Sequence, residues 1–420
     1  MKLAYYPGCS LDGSGVEYGL STRRTAAILG IELEELEDWN CCGATSGHNT
    51  NKILSLALPA RNLAIAEKTG LDILAPCAAC YNRFRTTEHA VRHDQNLKEK
   101  IEAIIEMPYS AKQETLSIPD LLANKIGIEK IREKVVSSLT GMKAACYYGC
   151  LLVRPVEHTG FDDAEDPQSM DQVVKALGAQ AIDWPYKTEC CGAALATSRP
   201  DVGTKMIYEV LLNARETGAE CIVTACPLCM MNLDMRQKAA EKAYNVKFNI
   251  PIYYITELIA IACGDAQKTV GIDRHFVEAG QYLVTVKERA AEAKIAAEKA
   301  ALEAAEKAKA KAAAAKEAKE KAAQTGDAAA QDKTPKSGET SAAPDTKKID
   351  GFVTALTKNP EKMAAKLVAD SAQAGVLASI MDEKKIGKLA ILMAKDMELA
   401  KKAAAAFVQQ ELKRQGECQD

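Results

Sequence analysis

Cys41-Cys42-Gly43-Ala44 recurs 149 residues later as Cys190-Cys191-Gly192-Ala193. Around this element the same order is written twice. Leu-Ala-Tyr-Tyr-Pro-Gly-Cys-Ser at 3–10 carries an apolar run into Cys9, and Ala-Ala-Cys-Tyr-Tyr-Gly-Cys-Leu at 144–151 carries one into Cys150. Cys77-Ala78-Ala79-Cys80 returns as Cys226-Pro227-Leu228-Cys229, again offset by 149, whereas the first element is offset by 141. The second copy therefore has eight extra residues in its first interval. Three matched elements in one order mark an internal duplication, and a repeat governs the fold before any local reading does.

Within each copy, short apolar runs alternate with helical patterns. Residues 2–6 form a strand that leads into Gly8-Cys9. A helix over 15–29 stops at Gly30, a second over 51–69 stops at Gly70, and 71–75 is a short buried strand ending at Pro76-Cys77. The second copy has a helix to Leu177 before Gly178, a helix to Thr217 before Gly218, and a strand over 221–225 before Cys226. Such alternation predicts an α/β fold with largely parallel sheets. The cysteines then sit just past the carboxyl ends of strands, where open α/β sheets place their ligands.

The composition of the 420 residues narrows the function. Hydrophobic residues make up 47% and the net charge is −3, so nothing global points to nucleic acid or to a membrane surface. The first ten residues lack the apolar region of a secretory signal, and no run of about 18 apolar residues predicts a transmembrane helix. A cytoplasmic location follows as the expectation. There thiols stay reduced, so the 14 cysteines read as metal ligands or redox groups rather than disulfides.

Charge and cysteine content divide the chain. Residues 1–283 carry a net −7 and every cysteine but Cys418, while 284–420 carry a net +4. From Ala290 to Ala323, all 34 residues except Ile295 and Leu302 are Ala, Lys or Glu, strong helix formers with pairs such as Glu303/Lys307 and Glu317/Lys321 four apart. This predicts a solvated helical spacer. Residues 324–346 read as a disordered linker. Asn359-Pro360 then starts two amphipathic helices, over 361–381 and 384–413, with Ile386, Leu389, Met393 and Met397 on one face of the second. The expected domains are 1–140, 141–283, a spacer and linker over 284–346, and a small all-α hairpin over 347–420.

The chemistry lies in the spacing. Cys9 is followed after 31 residues by Cys41-Cys42, and these after 34 by Cys77-x-x-Cys80. Cys150 is followed after 39 residues by Cys190-Cys191, and these after 34 by Cys226-x-x-Cys229. Each copy offers five thiolates from three loops. Adjacent cysteines rarely converge on one ion, yet each can hold a different iron of a larger cluster. Five sulfurs exceed the four that structural zinc takes and the four that an ordinary cubane takes. The excess points to an unusual iron–sulfur cluster.

These motifs resemble the paired CCG, or cysteine-rich, domains, and residues 1–265 resemble the B subunit of heterodisulfide reductase. The stretches Cys150-Leu-Leu-Val-Arg-Pro and Phe161-Asp-Asp-Ala-Glu-Asp-Pro add to the likeness, and the tail from about 284 has no counterpart in that family. The resemblance implies two pseudo-symmetric CCG domains with two non-cubane [4Fe-4S] clusters. Cys9, Cys41, Cys42, Cys77 and Cys80 hold the first; Cys150, Cys190, Cys191, Cys226 and Cys229 hold the second. It implies an enzyme that reduces a disulfide between the clusters, one electron from each, as the catalytic B subunit of a coenzyme B–coenzyme M-type heterodisulfide reductase complex. It also implies partners, a ferredoxin-like iron–sulfur C subunit and a flavin-bearing A subunit. No ferredoxin run C-x2-C-x2-C-x3-C-P occurs in the chain, so electrons must come from a partner.

Alternatives stand beside this reading. Zinc is the alternative occupant of the first copy, since some CCG domains bind it. The chain also fits an electron-transfer CCG protein of another redox complex, such as glycolate or lactate oxidation or a sulfite-pathway membrane complex, or a zinc-stabilised assembly module. Gly13-x-Gly15-x-x-x-Gly19 is one residue too long for a dinucleotide fingerprint. Cys146 and Cys221 read as core residues, and Cys263 and Cys418 have no partner in the pattern. His48 and His158 follow cysteines closely enough to be read as proton donors, though a surface or supporting role is the commoner one. Lys187 and Arg199 flank the second cysteine pair as weak candidates for holding an anionic group.

Overall fold

The computed structural model describes residues 1–324, 346–368, 370–381 and 383–416. The chain divides into two compact units, Met1–Glu317 and Ala318–Asp420.

The first unit contains the duplication as two four-stranded parallel sheets. β1 (Lys2–Tyr5), β2 (Glu32–Glu35), β3 (Ile73–Leu74) and β4 (Thr115–Leu116) lie in the order β2-β1-β3-β4. β5 (Lys143–Tyr147), β6 (Gln180–Ile182), β7 (Cys221–Thr224) and β8 (Ile252–Tyr254) repeat it as β6-β5-β7-β8. The registers match too: Ala4 pairs with Glu34 on one side and Tyr5 pairs with Leu74 on the other, as Ala145 pairs with Ile182 and Cys146 with Val223. In each sheet the chain leaves the first strand toward one edge and returns across it to the other. The loops after the first and third strands therefore face each other across a topological switch point.

The strands that sequence reading left unmarked have identifiable reasons. β2 reads Glu-Leu-Glu-Glu, a mostly exposed edge strand with no apolar alternation, whose charges protect the edge from pairing with another chain. β4 is only two residues long. The helix expected over 51–69 is Leu54–Thr69, preceded by a separate turn at Ser46–Thr50. Asn51 makes the break: its backbone is extended, and its Oδ1 accepts the N–H groups of Ile53 at 2.7 Å and Leu54 at 3.2 Å. The stop at Gly70 is as expected, with φ of 70°.

One core runs through both copies. Aromatic residues are scarce, but the largest fully buried side chains are mostly tyrosines: Tyr5, Tyr6, Tyr18, Tyr81, Tyr147, Tyr148, Tyr253 and Tyr254. The copies exchange helices. Helix Val16–Ile28 of the first packs on helix Ile255–Ala262, which follows β8 of the second. Ser21 and Thr256 hydroxyls meet there at 2.7 Å, and Thr25 donates to Thr256 O at 2.9 Å. Reciprocally, helix Ser169–Ala176 of the second copy packs on residues 118–126 of the first.

The Ala/Lys/Glu helix spans Gly280–Gln324 and starts earlier than composition alone suggests. Leu283 and Val286 are buried in the body, and Arg289 donates to Gly141 O at 2.9 Å and pairs with Glu220 at 2.5 Å. The expected side-chain pairs at 303/307 and 317/321 and the linker segment 325–345 lie outside what the structure describes. The second unit contains helices Thr346–Lys358, Pro360–Leu367, Ser371–Ser379, Glu383–Lys395 and Met397–Gly416. The sequence pattern predicts two longer helices, over 361–381 and 384–413, and does not mark the helix Thr346–Lys358. Val368 is extended and Asp370 caps a new helix by accepting Gln373 N–H at 2.9 Å, which splits the first of them. Leu356, Met363, Leu367, Leu377, Leu389, Met393 and Val408 form this unit's own core. Of the expected apolar face, Leu389 and Met393 are buried while Met397 is exposed. Among the described residues no helix is long and apolar enough to cross a membrane.

Candidate functional site

The three cysteine loops of each copy leave the same edge of its sheet. Cys9 follows β1, Cys41-Cys42 follow β2 and Cys77 follows β3; Cys150, Cys190-Cys191 and Cys226 follow β5, β6 and β7. Because the strands are parallel neighbours, their carboxyl ends bring the loops together. In each copy three sulfurs are buried (Cys42, Cys77, Cys80; Cys191, Cys226, Cys229) and two lie toward solvent. Cys9 and Cys41 are exposed, whereas Cys150 and Cys190 are half-buried.

The supporting contacts are duplicated as well. Tyr6 donates to Asn40 O at 2.8 Å and Tyr147 to Glu189 O at 2.6 Å, so one buried phenol in each copy holds the carbonyl just before the Cys-Cys pair. Gly43 N–H reaches Cys41 Sγ at 3.4 Å and Gly192 N–H reaches Cys190 Sγ at 3.3 Å. Gly8 and Gly149 adopt φ of 64° and 65°. A Cβ on Gly8 would stand 3.3 Å from Cys80 Sγ, and one on Gly149 would stand 3.1 Å from Cys229 Sγ, so glycine gives both the turn and the room beside a sulfur.

The sulfurs approach in pairs. Cys42 and Cys80 Sγ are 3.2 Å apart, and Cys191 and Cys229 are 3.7 Å apart. Hydrogen bonds from Cys41 and then Cys80 pull the Cys42 thiol down to about 4, with help from the Arg83 charge. Cys41 and Cys80, the donors, are pushed up. In the second copy the Cys150 hydrogen bond brings Cys190 down to about 6, and a hydrogen bond from Cys229 lowers both Cys191 and Cys226. Asn232 donates to Cys191 O at 3.1 Å and to its Sγ at 3.4 Å. Each copy thus favours thiolate at part of its sulfur set, and thiolate is the form that binds metal. Among the described residues no three of these side chains close on one point as a mononuclear site would. A donor set of five thiols from three loops, with backbone N–H groups aimed at sulfur and glycines leaving space, fits an iron–sulfur cluster.

The two sites meet at the seam between the copies. The Tyr18 hydroxyl lies 3.2 Å from both Pro76 O and Ala225 O, the carbonyls immediately before Cys77 and Cys226. The side chain of Asn82 donates to Leu151 O and Arg154 O at 3.0 and 2.8 Å, and Tyr81 to Thr159 O at 3.3 Å. Gly15, one of the spaced glycines, has room for no more than contact with Pro227 and the Tyr254 hydroxyl, both 3.4 Å from a Cβ placed there. That glycine serves packing.

Several residues singled out in the sequence are used otherwise. Lys187 is buried, with its ammonium 2.7 Å from Asp166 and 3.3 Å from Asp171, so it is not free to hold an anionic ligand. Arg199 is an exposed partner of Asp201. His48 Nδ1 lies 2.9 Å from Arg83 Nη1, and because a guanidinium only donates, that ring nitrogen is the acceptor of this contact. His158 lies against His89 with ring centroids 4.5 Å apart and planes tilted by 52°. Cys146 and Cys221 are fully buried in β5 and β7, and Cys418 lies outside the described residues. Sequence reading missed Tyr18, Arg83 and Asn232, which nothing in the spacing marks. It also missed Tyr6 and Tyr147, although their repetition at the 141 offset was a signal.

Two parallel-sheet halves, each gathering three cysteine loops at one edge and joined so that the loops meet, define a tandem thiol-site protein. The cysteine-rich domain, CCG, matches twice, over residues 3–85 and 144–234. The membrane anchor subunit of 8-methylmenaquinol:fumarate reductase from Wolinella succinogenes is 32% identical over 281 residues, 66% of this chain and 98% of that one. The B subunit of the ferredoxin/F420H2-dependent CoB–CoM heterodisulfide reductase from Methanosarcina acetivorans is 27% identical over 293 residues, 68% and 97%. The crystal structure of a hypothetical protein from Helicobacter pylori superposes with a TM-score of 0.55 at 14% identity over 66% of this chain. The match covers 52% of that protein and speaks for the fold alone. The chain belongs to the cysteine-rich CCG family, together with the heterodisulfide reductase B subunits.

Proposed function

We propose that the chain is the cluster-bearing B-type component of a multi-protein oxidoreductase and that it reduces a disulfide at the seam between its copies. The observation that supports this reading is the single Tyr18 hydroxyl shared by the carbonyls before Cys77 and Cys226, which ties the two CxxC loops to each other. In this reading Cys9, Cys41, Cys42, Cys77 and Cys80 hold one non-cubane [4Fe-4S] cluster, and Cys150, Cys190, Cys191, Cys226 and Cys229 hold the other. When bound, the clusters would supply one electron each. Cleavage of RS–SR′ takes those two electrons and two protons and yields RSH and R′SH.

The chain's own residues do the positioning. Tyr6 and Tyr147 fix the Cys-Cys loops, the Gly43 and Gly192 N–H groups neutralise sulfur charge, and Tyr18 holds the two CxxC loops in register. Electrons come from partners, a ferredoxin-like C subunit and a flavin-bearing A subunit, in the cytoplasm. A second reading, a relay component of a quinol-linked complex, is favoured by the likeness to the fumarate reductase anchor protein. Anaerobic assay with reduced methyl viologen separates the two. Consumption of a small disulfide with two thiols formed per disulfide supports the first. A protein that oxidises the viologen with no disulfide, and only when quinone-linked partners are present, supports the second.

A further inference from the structure

Three of the chain's five histidines stand ring to ring where the copies join. His89 and His93 lie one turn apart on helix Ala78–His93 of the first copy, with ring centroids 4.1 Å apart. His158 comes from the loop after Cys150 in the second copy, and its ring centroid is 4.5 Å from that of His89. The loop is pinned over the helix. Arg85 Nε donates to His158 O at 2.8 Å, and the His158 N–H donates to Pro155 O at 3.1 Å.

The rings are in the form that binds metal. His93 Nδ1 lies 2.7 Å from His89 O; a carbonyl only accepts, so Nδ1 carries the proton and Nε2 keeps its lone pair. Ligating imidazoles are commonly oriented this way, with the other N–H on a backbone carbonyl. Burial, and then the neighbouring His89, hold His158 below its ordinary value against the pull of Glu157, so that ring is neutral at pH 7. Its Nδ1 is buried and has no hydrogen-bond partner, an exception that calls for a reason. Rings that share one ion through nitrogens about 2.1 Å away stand with centroids about 5 Å apart, close to the spacing already present. The three nitrogens do not converge on one point as they stand, so closure takes rotation of the rings, for which the exposed His93 has room.

We propose that His89, His93 and His158 form an exchangeable metal site, separate from both cysteine sets, that takes a divalent transition ion of the imidazole-binding class, such as nickel or zinc. The ion clasps the second copy's loop to the first copy's helix. That helix carries Cys80 near its start and the loop follows Cys150, so the clasp ties together the supports of the two cysteine sites. Three neutral rings without an anionic ligand release such an ion to a chelator. The site does not depend on the disulfide reading.

The test uses anaerobically purified full-length protein, cleared with EDTA, desalted, and with any free thiols carbamidomethylated. Ni2+ is titrated in by calorimetry. The wild type is expected to take up one Ni2+ per chain, and Ni2+ is expected to slow amide exchange over residues 151–160. His93→Gln and His158→Gln each weaken binding about tenfold or more with iron content unchanged, and His48→Gln leaves it as in the wild type. A wild type that binds no Ni2+ overturns the proposal. So does a His158→Gln protein that binds as tightly as the wild type, which would leave a helix pair with no clasp between copies. Equal weakening by His48→Gln would place the ion elsewhere and also overturn it.

Discussion

Tyr18 stacks on Tyr254 with ring centroids 4.0 Å apart and planes 3° from parallel, one ring from each copy of the duplication. Both are fully buried. The stack seats the Tyr18 hydroxyl between Pro76 O and Ala225 O and so links the geometry of one cysteine site to that of the other.

Tyr18→Phe keeps the stack and removes the link. The buried carbonyls lose their donor at a cost of about 1–3 kcal/mol. The expected outcome is a soluble protein with unchanged iron, a melting temperature lowered by several degrees, and disulfide turnover reduced more strongly than viologen oxidation by the clusters. Unchanged turnover at full iron content would show that register between the copies is not needed.

Gly8→Ala and Gly149→Ala each place a methyl 3.1–3.3 Å from a sulfur and hold a non-glycine residue at φ near 65°, a conformation costing roughly 1–2 kcal/mol. Each is expected to reduce the iron bound by its own copy and to spare the other, read as a loss of about half the iron. Equal loss from both copies under either substitution would contradict two separate sites.

Cys191→Ala removes a buried sulfur that pairs with Cys229 at 3.7 Å and receives the Asn232 amide. The second cluster and disulfide reduction should be lost while the protein stays soluble, because Cys191 is one small side chain in a core built from many larger ones. Full activity with an artificial donor would exclude Cys191 as a ligand.

His275 reports on the body's pH stability. Its Nε2 lies 2.9 Å from Glu257 Oε1, both side chains are nearly inaccessible, and Glu17 and Asp234 also face the pair. Burial opposes the imidazolium, but Glu257 outweighs it and holds His275 at about 9. A group raised in the folded state stabilises fully below its unfolded value near 6.5 and loses that contribution as pH rises through 9. The melting temperature should therefore fall between about pH 7 and about pH 10, and His275→Gln should be destabilised near neutral pH and lack most of that slope. A wild-type slope that survives in the variant would assign it to other groups.

The duplication, the parallel α/β fold and the cysteine loops were legible because each depends on local signals: repeated motifs, apolar runs and glycine stops. β2 was not legible because an acidic edge strand has no apolar pattern, and its partner is fixed only by the crossover through the sheet. The seam was illegible for a different reason. Tyr18, Arg83 and Lys187 gain their roles from residues up to 207 positions away, as with Tyr18 and Ala225, so spacing along the chain says nothing about them. Lys187 looked available beside Cys190, yet Asp171, sixteen residues earlier, claims it. In the second unit, amphipathic periodicity located the two helical stretches past residue 360, but the side-chain cap at Asp370 divides the first of them and a break after Lys395 divides the second.

The central claim is that two five-thiol sites hold two clusters. Iron, acid-labile sulfide and zinc counted per chain on anaerobically purified protein test it most directly. About eight irons and about eight sulfides per chain, with no zinc, are the predicted result. About four irons with one zinc would leave a single cluster, and two zincs without iron would contradict the redox account.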